Sequence, residues 1–249
     1  MKKYWLIFIQ SFSQYTTYRL QIIYQIIQSS LPAIVTLIAL SFARSSGINS
    51  QSLISYYLLV TITSPLTFSS IDEYIEEITF SGEVNNFLTK PISFFRMLMV
   101  KQFSEKAITF IMLLPVFLAI LLILKTNFVN LIWFPLTILL SFLISYTFSF
   151  IIGLGCFWLD EFWSIRNVKF VAIQLLGGLI LPYSVFPDWL LKIIYFTPFP
   201  YLSSWPGRTL QSGITIYQIS QAVAWLIILL IIQRLVQNRA IRHYSHTGN

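Results

Sequence analysis

Charge is scarce in this sequence: 10% of its 249 residues are Asp, Glu, Lys or Arg, against 56% hydrophobic, and mean hydropathy is +0.74. A soluble domain of this size needs a charged surface, so a soluble fold is excluded first. Cysteine is limited to Cys156, which leaves no internal disulfide to form and no redox compartment to read; a buried, inert thiol is expected. Histidine is limited to His243 and His246 in the polar tail, where a zinc or nucleophilic site would lack partners, so no metal site is expected. No G-x-x-x-x-G-K-S/T stretch occurs, so the chain has no phosphate-cradling loop and cannot hydrolyse ATP in that manner. An enzyme is not expected, nor a cofactor bound by this chain. Repeats and low-complexity linkers are also missing, which makes residues 1–249 a single domain.

Apolar run length is what the sequence has in excess. Leu20 to Ala43, Ser45 to Ile71, Ala107 to Leu124, Thr126 to Leu159, Phe170 to Pro187 and Thr209 to Gln233 carry no charge. Each reaches the ~18 residues that span hydrocarbon, so the expected fold is an all-α integral membrane protein with six transmembrane helices. The longest run exceeds one span, and Gly153 and Gly155 are expected to let its inner end bend. None of the runs holds an ionisable residue away from its ends, which argues against an ion-coupled carrier.

Lys and Arg set the orientation. Lys2, Lys3, Arg19, Lys90, Arg96, Lys101, Lys106, Arg166, Lys169, Arg234, Arg239 and Arg242 fall on one side of the six runs, and only Arg44, Lys125, Lys192 and Arg208 on the other. The richer side is the cytoplasmic one, which places both termini inside. The net charge of +7 needs no nucleic-acid partner, because basic residues beside anionic lipid account for it. The opening MKKYWLIFI has a basic pair, but no small-residue cleavage site follows Gln10, so the segment is expected to stay. Trp5, Phe8, Phe12 and Tyr15 then recur at helical spacing opposite Gln10, Ser13, Gln14 and Thr17, the pattern of an interfacial helix over residues 1–18.

Residues 72–106 form the longest charged stretch, on the cytoplasmic side. Asp72, Glu73, Glu76 and Glu77 share one face of a helix prolonging the second span; they are either a solvated face or an electrostatic contact for a partner. Ser81-Gly82-Glu83 can end that helix, and Val84-Asn85-Asn86-Phe87-Leu88 is a short amphipathic turn closed by Lys90-Pro91-Ile92-Ser93. A short helix presenting Phe87 and Leu88 suits a partner's groove. Further on, Pro182, Pro187, Pro198 and Pro200 crowd the approach to the last run, and a proline inside a helix removes a donor and clashes one turn back. Trp189 to Phe196, between them, is too short to cross a bilayer.

Gly82-Glu83-Val84 followed by Phe87-Leu88-Thr89-Lys90-Pro91-Ile92-Ser93 resembles a signature of permease subunits of ABC-2-type transporters, the exporter class of ABC transporters. The late segment, with Gly177-Gly178, Pro182, Pro187, Trp189, Leu190, Pro198-Phe199, Tyr201, Pro206, Leu210 and Gly213, resembles the same family's region before the last span. The resemblance covers essentially the whole chain. It implies a cytoplasmic coupling helix carried by Glu83, Val84, Asn86, Phe87, Leu88, Lys90 and Pro91. It also implies a re-entrant helical hairpin over 187–210 that caps the path from outside, with Pro182, Pro187, Trp189, Pro198, Phe199 and Tyr201 in or beside it. An aromatic belt at the membrane border, Trp189, Tyr195, Tyr201 and Trp205 included, is a compatible alternative. The implied partners are ABC ATPase subunits that hold ATP and Mg, a second identical or related permease, and membrane lipid; the implied location is a bacterial cell membrane. The implied cargo is amphipathic or apolar, such as a lipid, a drug or a glycan-linked molecule. A self-sufficient channel or scaffold would share the missing nucleotide motif but would need no cytoplasmic docking helix.

Overall fold

The computed structural model describes residues 2–17, 50–88, 92–159 and 162–247, with isolated positions between 20 and 38. The first apolar run lies largely outside them, as do Lys90 and Pro91. Every regular element among the described residues is helical: α1 (Lys2–Thr17), α2 (Ser50–Thr67), α3 (Ile71–Phe80), α4 (Val84–Leu88), α5 (Phe94–Leu124) and α6 (Phe128–Gly153) come first. After a 3-10 turn at Leu154–Phe157 follow α7 (Phe162–Leu176), α8 (Asp188–Tyr195), α9 (Phe199–Leu202), α10 (Trp205–Ser212) and α11 (Ile216–Thr247). Among the described residues, four stretches are long and apolar enough to cross a membrane: Ser52–Phe80, Phe94–Leu124, Phe128–Phe157 and Ile216–His243.

The fifth apolar run of the sequence is not one helix. Its first part belongs to α7, 15 residues or about 22 Å long, which stops before Gly177. Gly178 takes φ +79°, a backbone angle that side-chain-bearing residues rarely adopt, and Pro182 cannot extend a helix. The third run, conversely, is the C-terminal part of a longer helix: α5 begins at Phe94 and runs through Lys101, Glu105 and Lys106, at 31 residues about 46 Å. The helix thus reaches well past the ~30 Å of hydrocarbon.

Local chemistry explains the joints. α5 ends where Lys125 turns to φ 48°, and α6 starts with Asn127, whose side-chain oxygen accepts from Val129 N at 3.1 Å. Pro65 inside α2 leaves the Thr61 carbonyl without its helical donor; the Ser64 hydroxyl donates to it at 3.3 Å. Between α2 and α3 the helix breaks at residues 68–70 in a buried place, and serines make the break tolerable. Ser69 N donates to Ser145 Oγ at 3.2 Å, Ser149 Oγ donates to Ser69 O at 3.0 Å, and Ser69 Oγ donates to Gln102 Oε1 at 2.7 Å.

α6 is the axis of the bundle. Phe142, Tyr146 and Phe150 pack with Ile71, Ile75 and Ile78 of α3 and with Phe94 and Leu98 of α5 at one end. Towards the other end, Leu140 and Ile144 meet Tyr56, Tyr57 and Val60 of α2, and Phe134 stacks on Phe117 of α5 at 4.8 Å. Small residues allow close approach: a Cβ on Gly153 would sit 2.9 Å from Asp72 Cα, so α6 can lie against α3 only because that residue is glycine. Cys156, just beyond, is buried and its thiol donates to Gly153 O at 2.8 Å. α1 lies along α5, with Trp5, Phe8 and Phe12 in a stacked ladder and Phe8 reaching Phe103 at 6.4 Å. Its polar face, Gln10, Ser13, Gln14 and Thr17, is exposed.

Candidate functional site

The four carboxylates of α3 divide. Asp72 is wholly buried and pairs with Lys169 of α7 at 2.6 Å. It is therefore not an outward contact, contrary to the reading of the acidic face as a solvated surface or docking patch. Its helix lies against α6 and α7, and that side of the turn is interior. Lys169 Nζ also donates to Ser149 Oγ at 3.3 Å and to Ser69 O at 3.4 Å, whereas Asp72 Oδ2 has no partner among the described residues. One turn along α3, Glu76 accepts from Arg166 Nη1 at 2.7 Å in a half-buried pair. The acids at i and i+4 on α3 thus meet bases at i and i−3 on α7, which fastens the two helices side by side.

Glu73 and Glu77 face the opposite way. Both are exposed and line a polar cavity of about 280 Å³ together with Tyr15 of α1 and Lys101, Gln102 and Glu105 of α5. The Lys101 ammonium sits 3.3 Å from the centre of the Tyr74 ring, a cation–π contact that holds α5 to α3. Burial first, and the Glu105 carboxylate second, push the Tyr15 hydroxyl well above its ordinary range, so it remains a neutral donor.

The short segment beyond α3 starts after Gly82, whose φ of +76° turns the chain. Among its described residues five, Val84–Leu88, are helical. Val84 is fully buried in the core shared by α3, α5 and α6, and so is not a docking contact; Phe87 is half-buried, its ring 6.4 Å from that of Tyr74. Glu83 and Asn86 are exposed. The side chain of Leu88, like all of Lys90 and Pro91, lies outside the described residues. Of the seven residues assigned to coupling, the structure brings Val84 and Phe87 onto the core and leaves Glu83 and Asn86 at the surface.

At the far end of the bundle, three short helices rather than two follow α7. α8, α9 and α10 have eight, four and eight residues, each too short to cross a bilayer. Pro187 precedes α8 and is exposed, as is Trp189 at 65%, while Pro182, Pro198 and Tyr201 are buried and Phe199 is partly buried. Tyr201 donates to Gln221 Oε1 of α11 at 2.7 Å. Side-chain donors serve the carbonyls that the broken helix leaves open. Tyr56 donates to Gly178 O at 2.6 Å, Tyr57 to Ile180 O at 2.8 Å, and Tyr183 to Leu176 O at 2.8 Å. Arg208 Nη2 reaches Pro200 O at 3.2 Å. A Cβ on Gly207 would meet Val60 N at 2.9 Å, so α10 is pressed onto α2.

Sequence reasoning missed Lys169, Arg166, Tyr56, Tyr57 and Arg208. The two cations carried a signal, since their three-residue spacing complements the four-residue spacing of Asp72 and Glu76. The tyrosines carried none, because their acceptors are backbone atoms more than a hundred residues away.

No curated protein matches the chain. The family described as ABC-2 family transporter protein matches residues 26–248, nearly the whole length, including α2 to α11. Together with the all-helical bundle and its membrane-length helices, this match identifies a multi-pass membrane permease of the ABC transporter class, and the chain belongs to the ABC-2 family of transporter proteins.

Proposed function

We propose that the chain is the transmembrane half of an ATP-driven exporter, working with separate ABC ATPase subunits and a second identical or related permease. The family match over residues 26–248 carries this reading. Six spans place both termini in the cytoplasm, with α3, α4 and the start of α5 at the inner face and the three short helices forming the re-entrant outer cap. Glu83 and Asn86, exposed on the tip anchored by Val84, are the contacts for the ATPase, with Glu73 and Glu77 beside them. The exposed apolar faces of α5 (Ile111, Val116, Leu122) and α11 (Ile227, Ile231, Leu235) meet lipid or the second permease. ATP and Mg belong to the ATPase chains. The cargo is amphipathic or apolar, because the charge-free runs of the sequence carry Phe, Tyr, Ser and Thr in place of charge.

Co-purification tests the assembly. Glu83→Lys combined with Asn86→Trp leaves the core untouched and is expected to weaken capture of the co-expressed ATPase at least tenfold, about 1.4 kcal/mol, while membrane insertion stays normal. Undiminished capture and cargo-stimulated hydrolysis would remove the coupling role from this tip. Absence of any ATPase in complexes of the unmodified chain would favour a self-sufficient channel.

A further inference from the structure

At the end of the bundle that carries the 125–127 turn, a cavity of about 330 Å³ opens between the start of α2, the 182–184 turn, α10 and the stretch leading into α11. Tyr56, Tyr183, Tyr195, Trp205, Arg208 and Gln218 are among its walls, and none of its lining residues is acidic. Arg208 makes no ion pair among the described residues. Its guanidinium stacks 4.5 Å from the centre of the Tyr183 ring and spends one nitrogen on the Pro200 carbonyl, but its Nε is buried without a hydrogen-bond partner among the described residues. Trp205, only 1% exposed, likewise has an indole N–H with no acceptor among the described residues.

A partly buried cation without a counter-charge and a buried donor without an acceptor each cost stability. The aromatic frame offsets the first only in part. Here every unmet need has the same sign: positive charge and N–H donors, with hydroxyls and amides at the rim and no carboxylate to repel an anion. A single oxyanion would meet these needs, and guanidinium pairs well with phosphate oxygens. The volume suits a phosphate with a small attached group rather than a whole lipid.

We propose that this cavity binds a phosphate-type oxyanion, presented either as a free ion or as the headgroup of an anionic phospholipid. Arg208 supplies the charge and Trp205 a fixed donor, while Tyr183 holds the guanidinium plane. The proposal rests on this geometry alone and not on the exporter reading.

The test uses the full-length chain in phosphatidylcholine nanodiscs in phosphate-free buffer, read by tryptophan fluorescence and by Tm. Titrated inorganic phosphate is expected to give a saturable change. Arg208→Gln should weaken it at least tenfold, and Lys192→Gln, at an exposed cation outside the cavity, should leave it unaltered. In a second arm phosphatidylglycerol replaces part of the lipid with no phosphate present; a rise in Tm that Arg208→Gln abolishes assigns the headgroup as the source. Should Arg208→Gln not fold, Ser212→Trp at the exposed rim fills the mouth without disturbing a buried residue, and must abolish whichever response the unmodified chain shows. No response to either probe, responses that survive both variants, or an equal response to an uncharged sugar would each overturn the assignment.

Discussion

The two ends of this bundle contain the same structural problem and solve it differently. At one end the helix breaks at residues 68–70; at the other, after α7, it breaks at Gly177. Both breaks free backbone groups where water is scarce. At the first, serines of α6 bind the freed groups and a buried Asp72–Lys169 pair sits on top of them. The second relies on neutral tyrosine hydroxyls aimed at carbonyls. Neutral donors suit a fixed shape, because each bond is local and survives changes of charge nearby. A charged pair ties two helices together strongly, but only while both charges are present.

The sharpest way to break this contrast is Lys169→Met. It leaves Asp72 buried with neither oxygen neutralised, and the expected loss is about 3–5 kcal/mol, seen as collapse of the gel-filtration peak or a large fall in Tm. Asp72→Asn combined with Lys169→Met should recover much of it, because no lone charge remains. Failure of the double variant to recover would show that Lys169 acts through its bonds to Ser69 and Ser149 instead. Tyr57→Phe probes the other end: one hydroxyl–carbonyl bond is lost, for about 1 kcal/mol and a modest fall in Tm. A loss as large as that of Lys169→Met would erase the distinction. Arg166→Gln should matter least, within about 1 kcal/mol, since the pair with Glu76 keeps access to solvent.

Much of the architecture was legible in the sequence. The aromatic spacing of Trp5, Phe8 and Phe12 gave α1 and its exposed polar face, and Ser81-Gly82-Glu83 marked the end of α3. Hydropathy located the long helices but could not divide the run after Phe170, because Gly177 and Gly178 are themselves apolar. The stop lies where Gly178 turns to φ +79°, and the close approach of Ser203 to Gly177 and of Tyr56 to Gly178, which leaves no room for a side chain at either, is a tertiary fact. The acidic face of α3 was visible as a face; which of its members turn inward depends on α7, some ninety residues further along. Val84 and Phe87 looked alike as apolar neighbours of a polar turn. Only the position of α5 and α6 decides that the first is core.

Cys156 is the one thiol in the chain, and it is shut inside the 3-10 turn after α6 with its proton committed to a carbonyl. Reagents for free thiols in solution will therefore find almost nothing to label on the native protein. The wild-type chain already provides the silent background that cysteine-scanning usually requires mutagenesis to create. A cysteine introduced at Asn86, on the exposed tip of α4, would report its own side of the membrane without removing a residue that the bundle has built around, and one at Asn127, in the turn between α5 and α6, would do so at the loss of the α6 cap.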